Sequence, residues 1–194
     1  MPVKKIMEDI ADHIKKSVRL IDEREVDDFV KSILSAKRVF VFGAGRSGLV
    51  TKAFAMRLSQ IGLSTYVVGE TITPGMKKGD LFVIVSGSGE TTSAVSAAKV
   101  AKQIGVKVYA VTSYPTSSLG KIVESCVKIT GKTKVDIEKD HLKHQIEGRH
   151  SSLTPLGTLF DDTAMVFLDG VVGRLMNELS CGEESMSRRH ADDI

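Results

Sequence analysis

Leu81-Phe82-Val83-Ile84-Val85 is the stretch that most restricts what this chain can fold into. Five apolar residues in a row, the last three β-branched, suit a short strand covered on both faces. Strands of that kind belong to parallel sheets, whose crossovers are usually helices. The sequence supplies a crossover: Ser86-Gly87-Ser88-Gly89-Glu90-Thr91 reads as a turn, and a helix follows from about Thr92 to Ile104. The turn sets two hydroxyls and several backbone N–H groups at the carboxyl end of a strand and the start of a helix. Phosphate binds in such places, because the first helical turn has unpaired donors and the positive end of the dipole. Serines without a lysine point to a phosphate monoester held by hydroxyls and amides, not to a triphosphate held with magnesium. A merely serine-capped turn is the alternative.

The strand-turn-helix pattern recurs along the chain. Residues from about Pro2 to Ser35 read as helical, with Ile6, Ile10, Ile14, Val18 and Ile21 at near-helical spacing. That stripe is a packing face, or a face that clasps a partner subunit. Arg38 to Phe42 reads as the first strand, Leu49 to Ile61 as a crossover helix, and Thr65 to Val68 as the second strand. Leu81 to Val85 is then the third, Val108 to Val111 the fourth and Cys126 to Ile129 the fifth. A long apolar helix is expected from about Thr158 to Leu179. The fold class is therefore α/β, a three-layer α/β/α sandwich with a five-stranded, mostly parallel sheet. One domain over 1–194 is expected, with an N-terminal helical segment over 1–36 and a polar tail over 182–194.

Composition narrows the function classes. A formal net charge of +3 is mild and both signs are mixed along the chain, which is no nucleic-acid footprint. Aromatic residues are 5% and Trp is absent, so base-stacking platforms are not expected. Cys126 and Cys181 lack the spacing of a zinc site or a redox pair. No apolar stretch reaches membrane-spanning length and no signal-peptide core opens the chain, so a cytoplasmic protein without membrane partners is expected.

Gly43-Ala44-Gly45-Arg46-Ser47-Gly48, after the first strand, satisfies the G-x-G-x-x-G dinucleotide pattern, and Glu70 falls where a ribose-binding acid would. A dehydrogenase would need a second domain that 194 residues hardly allow. An Arg and a Ser inside this turn, facing the serine-rich turn of the third strand, better suit a sugar phosphate.

Those two turns together resemble the SIS (sugar isomerase) domain. Phe54-Ala55-Met56-Arg57-Leu58, Val68-Gly69-Glu70-Thr71-Ile72-Thr73-Pro74, Pro155-Leu156-Gly157-Thr158-Leu159-Phe160 and Arg189-His190-Ala191 narrow the likeness to the 6-phospho-3-hexuloisomerase family. The resemblance implies interconversion of D-arabino-hex-3-ulose 6-phosphate and fructose 6-phosphate without metal or organic cofactor. It also implies a homotetramer, with sites drawing residues from neighbouring subunits, and a place in the ribulose monophosphate route beside 3-hexulose-6-phosphate synthase. A sensor that binds sugar phosphate without catalysis, or an isomerase of another sugar phosphate such as arabinose 5-phosphate, would share the turns.

Moving a carbonyl from C3 to C2 through a cis-enediol needs one base facing both carbons and a donor for the oxygen charge. Ser47, Ser86, Ser88 and Thr91, with the backbone of Gly87 and Gly89, are the expected phosphate anchors; Ser47 and Thr91 also suit helix caps. Arg46 is placed to bind a sugar hydroxyl or the enediolate. The resemblance points to the acid after Phe160 as base, where relatives usually carry Glu and this chain has Asp161, then Asp162. A carboxylate one methylene shorter reaches about 1.5 Å less far. A first-turn position also lets the helix dipole favour the ionised form, and both aspartates suit a plain helix start. His190 is expected in ring opening or proton shuttling, in a tail where the family's Asn-Leu-Glu is replaced by Asp192-Asp193-Ile194. Glu70 is expected to bond a sugar hydroxyl, to hold Arg46, or to be structural. Lys132 to Ser151, with His141, His144 and His150, reads as a solvated insertion that can cover the site, not as a metal centre.

Overall fold

The computed structural model describes residues 2–131, 157–182 and Met186. The N-terminal segment is two helices, α1 (Val3–Val18) and α2 (Glu23–Ser35). The single helix expected from the isoleucine stripe is broken at 19–22, where the Asp22 carboxylate accepts the Arg24 N–H at 2.9 Å and caps α2. A local side-chain bond of this kind competes with helix continuation.

The sheet strands are β1 (Val39–Gly43), β2 (Thr65–Val67), β3 (Leu81–Val85), β4 (Lys107–Thr112) and β5 (Ser125–Lys128). Helix α3 (Arg46–Gln60) links β1 to β2, and α4 (Thr92–Gln103) links β3 to β4. Helix α5 (Thr158–Glu178) is the last. The strand order is β2-β1-β3-β4-β5 with all four pairings parallel.

Alternation along the strands divides the core between the two faces. Val39, Val41, Val83, Val85, Tyr109 and Val111 pack under α2, α3 and α5 with Phe29, Phe54 and Phe167. Phe40, Phe82, Ile84, Val108 and Ala110 face the other way, under Ala94, Ala98 and Ala101 of α4. Every residue of β3 is buried, as the unbroken apolar run requires. β1 pairs with β2 on one side and β3 on the other, so the chain reverses its winding between β1 and β3. Ligand crevices of doubly wound sheets open there, beyond the carboxyl ends. The Gly43↔Val85 register brings the two glycine-rich turns side by side at that point.

Candidate active site

Three helices begin at the switch point, and none is capped by a side chain. Gly45 precedes α3, Thr91 precedes α4 and Gly157 precedes α5, each without a capping side-chain hydrogen bond. First-turn N–H groups at such ends are left for another partner. Thr91 therefore occupies the cap position without acting as a cap. Ser47 is not a cap either, because α3 starts at Arg46, three residues earlier than the sequence pattern predicts. That earlier start places Arg46 and Ser47 on a rigid first turn.

The turn after β3 is braced from behind. Ser86 donates its N–H to Val111, while Gly87 and Gly89 accept at their carbonyls from the N–H groups of Ser113 and Leu119. Within the turn the Ser86 and Thr91 hydroxyls lie 3.4 Å apart, and Ser88 Oγ accepts the Glu90 N–H at 3.2 Å. Glu90 accepts the Ser118 N–H at 2.9 Å, which holds its carboxyl below the ordinary range and ties it to the neighbouring loop. Gly87 is closely packed: a Cβ there would lie 2.9 Å from the ring of Phe160, which would have to shift. Phe160, 2% exposed, thus docks the first turn of α5 against the serine turn.

That docking sets Asp161 beside α3. Ser47 Oγ donates to Asp161 Oδ1 at 2.7 Å. Arg46 Nε lies 3.4 Å from Asp161 Oδ2, and Arg46 Nη2 lies 3.0 Å from Asp162 Oδ1. The helix start alone would hold the Asp161 carboxyl down, but here it is raised above its ordinary value. Burial is the main cause; the Ser47 hydrogen bond and Arg46 oppose it, and repulsion from Asp162 adds to it. A buried carboxylate that holds its proton more tightly is a stronger base once ionised.

Glu70 does not hold Arg46. Its carboxylate pairs with Lys52 of α3, at the side of the crevice towards β2. His190, Pro155, Leu156 and the 132–151 segment lie outside the described residues. Sequence reasoning missed Lys52, which carries no motif, and the Glu90 brace on Ser118. Asp162 was visible only as the neighbour of Asp161, and its pairing with Arg46 depends on how α3 and α5 meet.

Two phosphate-type turns on adjacent parallel strands, with a buried carboxylate held against the first of their helices, define a phosphosugar-binding α/β domain. Residues 32–139 match the SIS domain, and the chain belongs to that family. A protein of Aeropyrum pernix is 49% identical over 195 residues, covering 98% of this chain and 92% of its own. The 3-hexulose-6-phosphate isomerase of Bacillus subtilis is 37% identical over 184 residues, covering 95% of each chain. A crystal structure from Methanococcus jannaschii, from which a 3-hexulose-6-phosphate isomerase function was inferred, superposes with a TM-score of 0.78 at 31% identity, covering 95% of this chain and 97% of its own. Among the described residues, no helix is long and apolar enough to cross a membrane.

Proposed function

We propose that the protein is a sugar-phosphate isomerase that interconverts D-arabino-hex-3-ulose 6-phosphate and fructose 6-phosphate. The observation that carries this reading is the contact of Ser47 and Arg46 with the buried Asp161 beside the serine turn of β3. Phosphate is held by Ser86, Ser88 and Thr91 with the Gly87 and Gly89 backbone, and by Ser47 as its hydroxyl turns from Asp161 to the ligand. The reacting carbons then face Asp161. Its carboxylate takes the C2 proton, the electron pair forms the C2–C3 double bond, and the C3 oxygen becomes the enediolate. Arg46 stabilises that charge as it moves between the two oxygens. Return of a proton to C3, with loss of the C2 hydroxyl proton, leaves the carbonyl at C2. His190 serves ring opening or proton shuttling between the oxygens, and Glu70, with Lys52, bonds a sugar hydroxyl.

A cytoplasmic homotetramer, in which the 182–194 tail reaches a neighbouring subunit, completes this reading. The substrate comes from 3-hexulose-6-phosphate synthase in the ribulose monophosphate route. The test couples the purified protein to a hexulose-phosphate synthase with formaldehyde and ribulose 5-phosphate, in EDTA. Fructose 6-phosphate is the expected product. No product, with fructose 6-phosphate still raising the melting temperature, would overturn catalysis in favour of binding alone.

A further inference from the structure

Arg46 spans two carboxylates whose settings differ. The Asp161 side chain is 7% exposed and that of Asp162 is 34% exposed. Consecutive residues on a helix point about 100° apart, so a single cation reaches both only if it is long and forked. The guanidinium meets that need, with Nε towards Asp161 and Nη2 towards Asp162; an ammonium is a single point and does not. The contact with Asp162 is the shorter one, 3.0 Å against 3.4 Å.

Both oxygens of Asp161 are engaged in this arrangement, Oδ1 by Ser47 and Oδ2 by Arg46. A carboxylate in that state is poorly set to take a proton from carbon. The donors have to pass to the substrate, Ser47 to a phosphate oxygen and Arg46 to the developing enediolate. Were Arg46 paired with Asp161 alone, leaving it would return a half-exposed side chain to solvent. With Nη2 kept on Asp162, the Nε edge swings a short way and stays in the crevice.

We propose that Asp162 is a positioning residue for the isomerisation, a tether that keeps the Arg46 guanidinium beside Asp161 while the sugar phosphate draws it off the base. This rests on Asp161 as the base of the reaction. Among the described residues the charged groups acting on Asp161 are Arg46, from α3, and Asp162, on its own helix. Loss of the Asp162 charge removes a repulsion and hands the whole guanidinium to Asp161. Both changes make Asp161 more acidic and a weaker base.

The test measures kcat, KM and their pH dependence for Asp162→Asn, Asp162→Glu and Asp161→Asn in the full chain. The tether predicts that Asp162→Asn lowers kcat about tenfold or more, as a misplaced catalytic group does, while KM changes less. It also predicts that the acid limb of kcat moves to lower pH, that the melting temperature holds, and that Asp162→Glu recovers most of the rate. Turnover lost in Asp161→Asn but unchanged in Asp162→Asn would overturn the tether alone. A fall in Asp162→Asn with an unmoved acid limb and no recovery in Asp162→Glu would reduce Asp162 to a structural residue and overturn it too. Turnover surviving in Asp161→Asn would remove the base, and the tether with it.

Discussion

Ser47 and Asp161 are 114 positions apart in the chain and 2.7 Å apart in the fold. The bond joins the first turn of α3 to the first turn of α5 across the switch point of the sheet. In the proposed mechanism one hydroxyl therefore serves two ends, a phosphate anchor on one side and a donor to Asp161 on the other. It also works against burial, since its hydrogen bond lowers the Asp161 pKa that desolvation raises.

Ser47→Ala removes that lowering contribution and leaves the burial in place. The Asp161 carboxyl should then hold its proton more tightly, and the acid limb of kcat/KM should move to higher pH. On the proposed role of the same hydroxyl as a phosphate anchor, KM should rise as well. A pH profile with an unmoved acid limb would separate Ser47 from the titration of Asp161.

Asp161→Asn should abolish turnover and stabilise the fold at neutral pH. The sign follows from the raised folded-state pKa: the protonated form favours the fold below the unfolded value, and that advantage is lost as pH rises through the folded value. Removing a functional charge of this kind commonly gains about 1 kcal/mol, or roughly 2–4 °C for a chain of this size. Thermal melts at neutral pH should show the gain, and melts in acid should show it vanish.

Much of this was legible along the chain. β3 occupies the five residues its apolar run marks out, and the neighbouring strands fall within a residue or so of their β-branched runs. The facing of the two turns follows from parallel crossovers, whereas the strand order β2-β1-β3-β4-β5 depends on which strands pair and is shown only by the structure. What was not legible depends on packing at long range. The place of Asp161 on a helix points to a lowered pKa, yet its burial raises it. The sequence leaves the partner of Glu70 open, and the structure pairs it with Lys52 of α3 across to the loop after β2. The break between α1 and α2 is hard to see in the sequence because the apolar stripe runs into it as far as Ile21, whereas the Asp22 cap marks the new helix start.

Gly87→Ala tests the docking of α5 on the serine turn. The added Cβ would sit 2.9 Å from the Phe160 ring, and that ring is too buried to move freely. Overpacking of this kind costs about 1–3 kcal/mol. Whatever moves Phe160 also moves Asp161, the next residue, and a shift of about 1 Å at a catalytic group can cost about a hundredfold in rate. The variant should stay folded, with kcat reduced far more than its stability explains. A normal kcat would mean that Phe160 does not fix the base.

Asp80→Asn is the counterpart at the far end of the sheet. Asp80 is buried at the amino end of β3, where it takes two hydrogen bonds from Arg38, at Oδ1 and Oδ2, and one from the Lys77 N–H. Burial alone would push its carboxyl up, but the Arg38 and Lys77 hydrogen bonds outweigh it and hold the carboxyl below the ordinary value. Its contribution to stability is therefore present above the unfolded carboxylate pKa and lost as pH falls through the lower folded value. The variant should melt several degrees lower at neutral pH, with the difference closing in acid. Among the described residues the hydrogen-bond partners of Asp80 are Arg38 and Lys77, away from the crevice, so kcat per folded molecule should be unchanged. A variant that lost kcat at a temperature where it is fully folded would show that the amino end of the sheet sets the geometry of the carboxyl end.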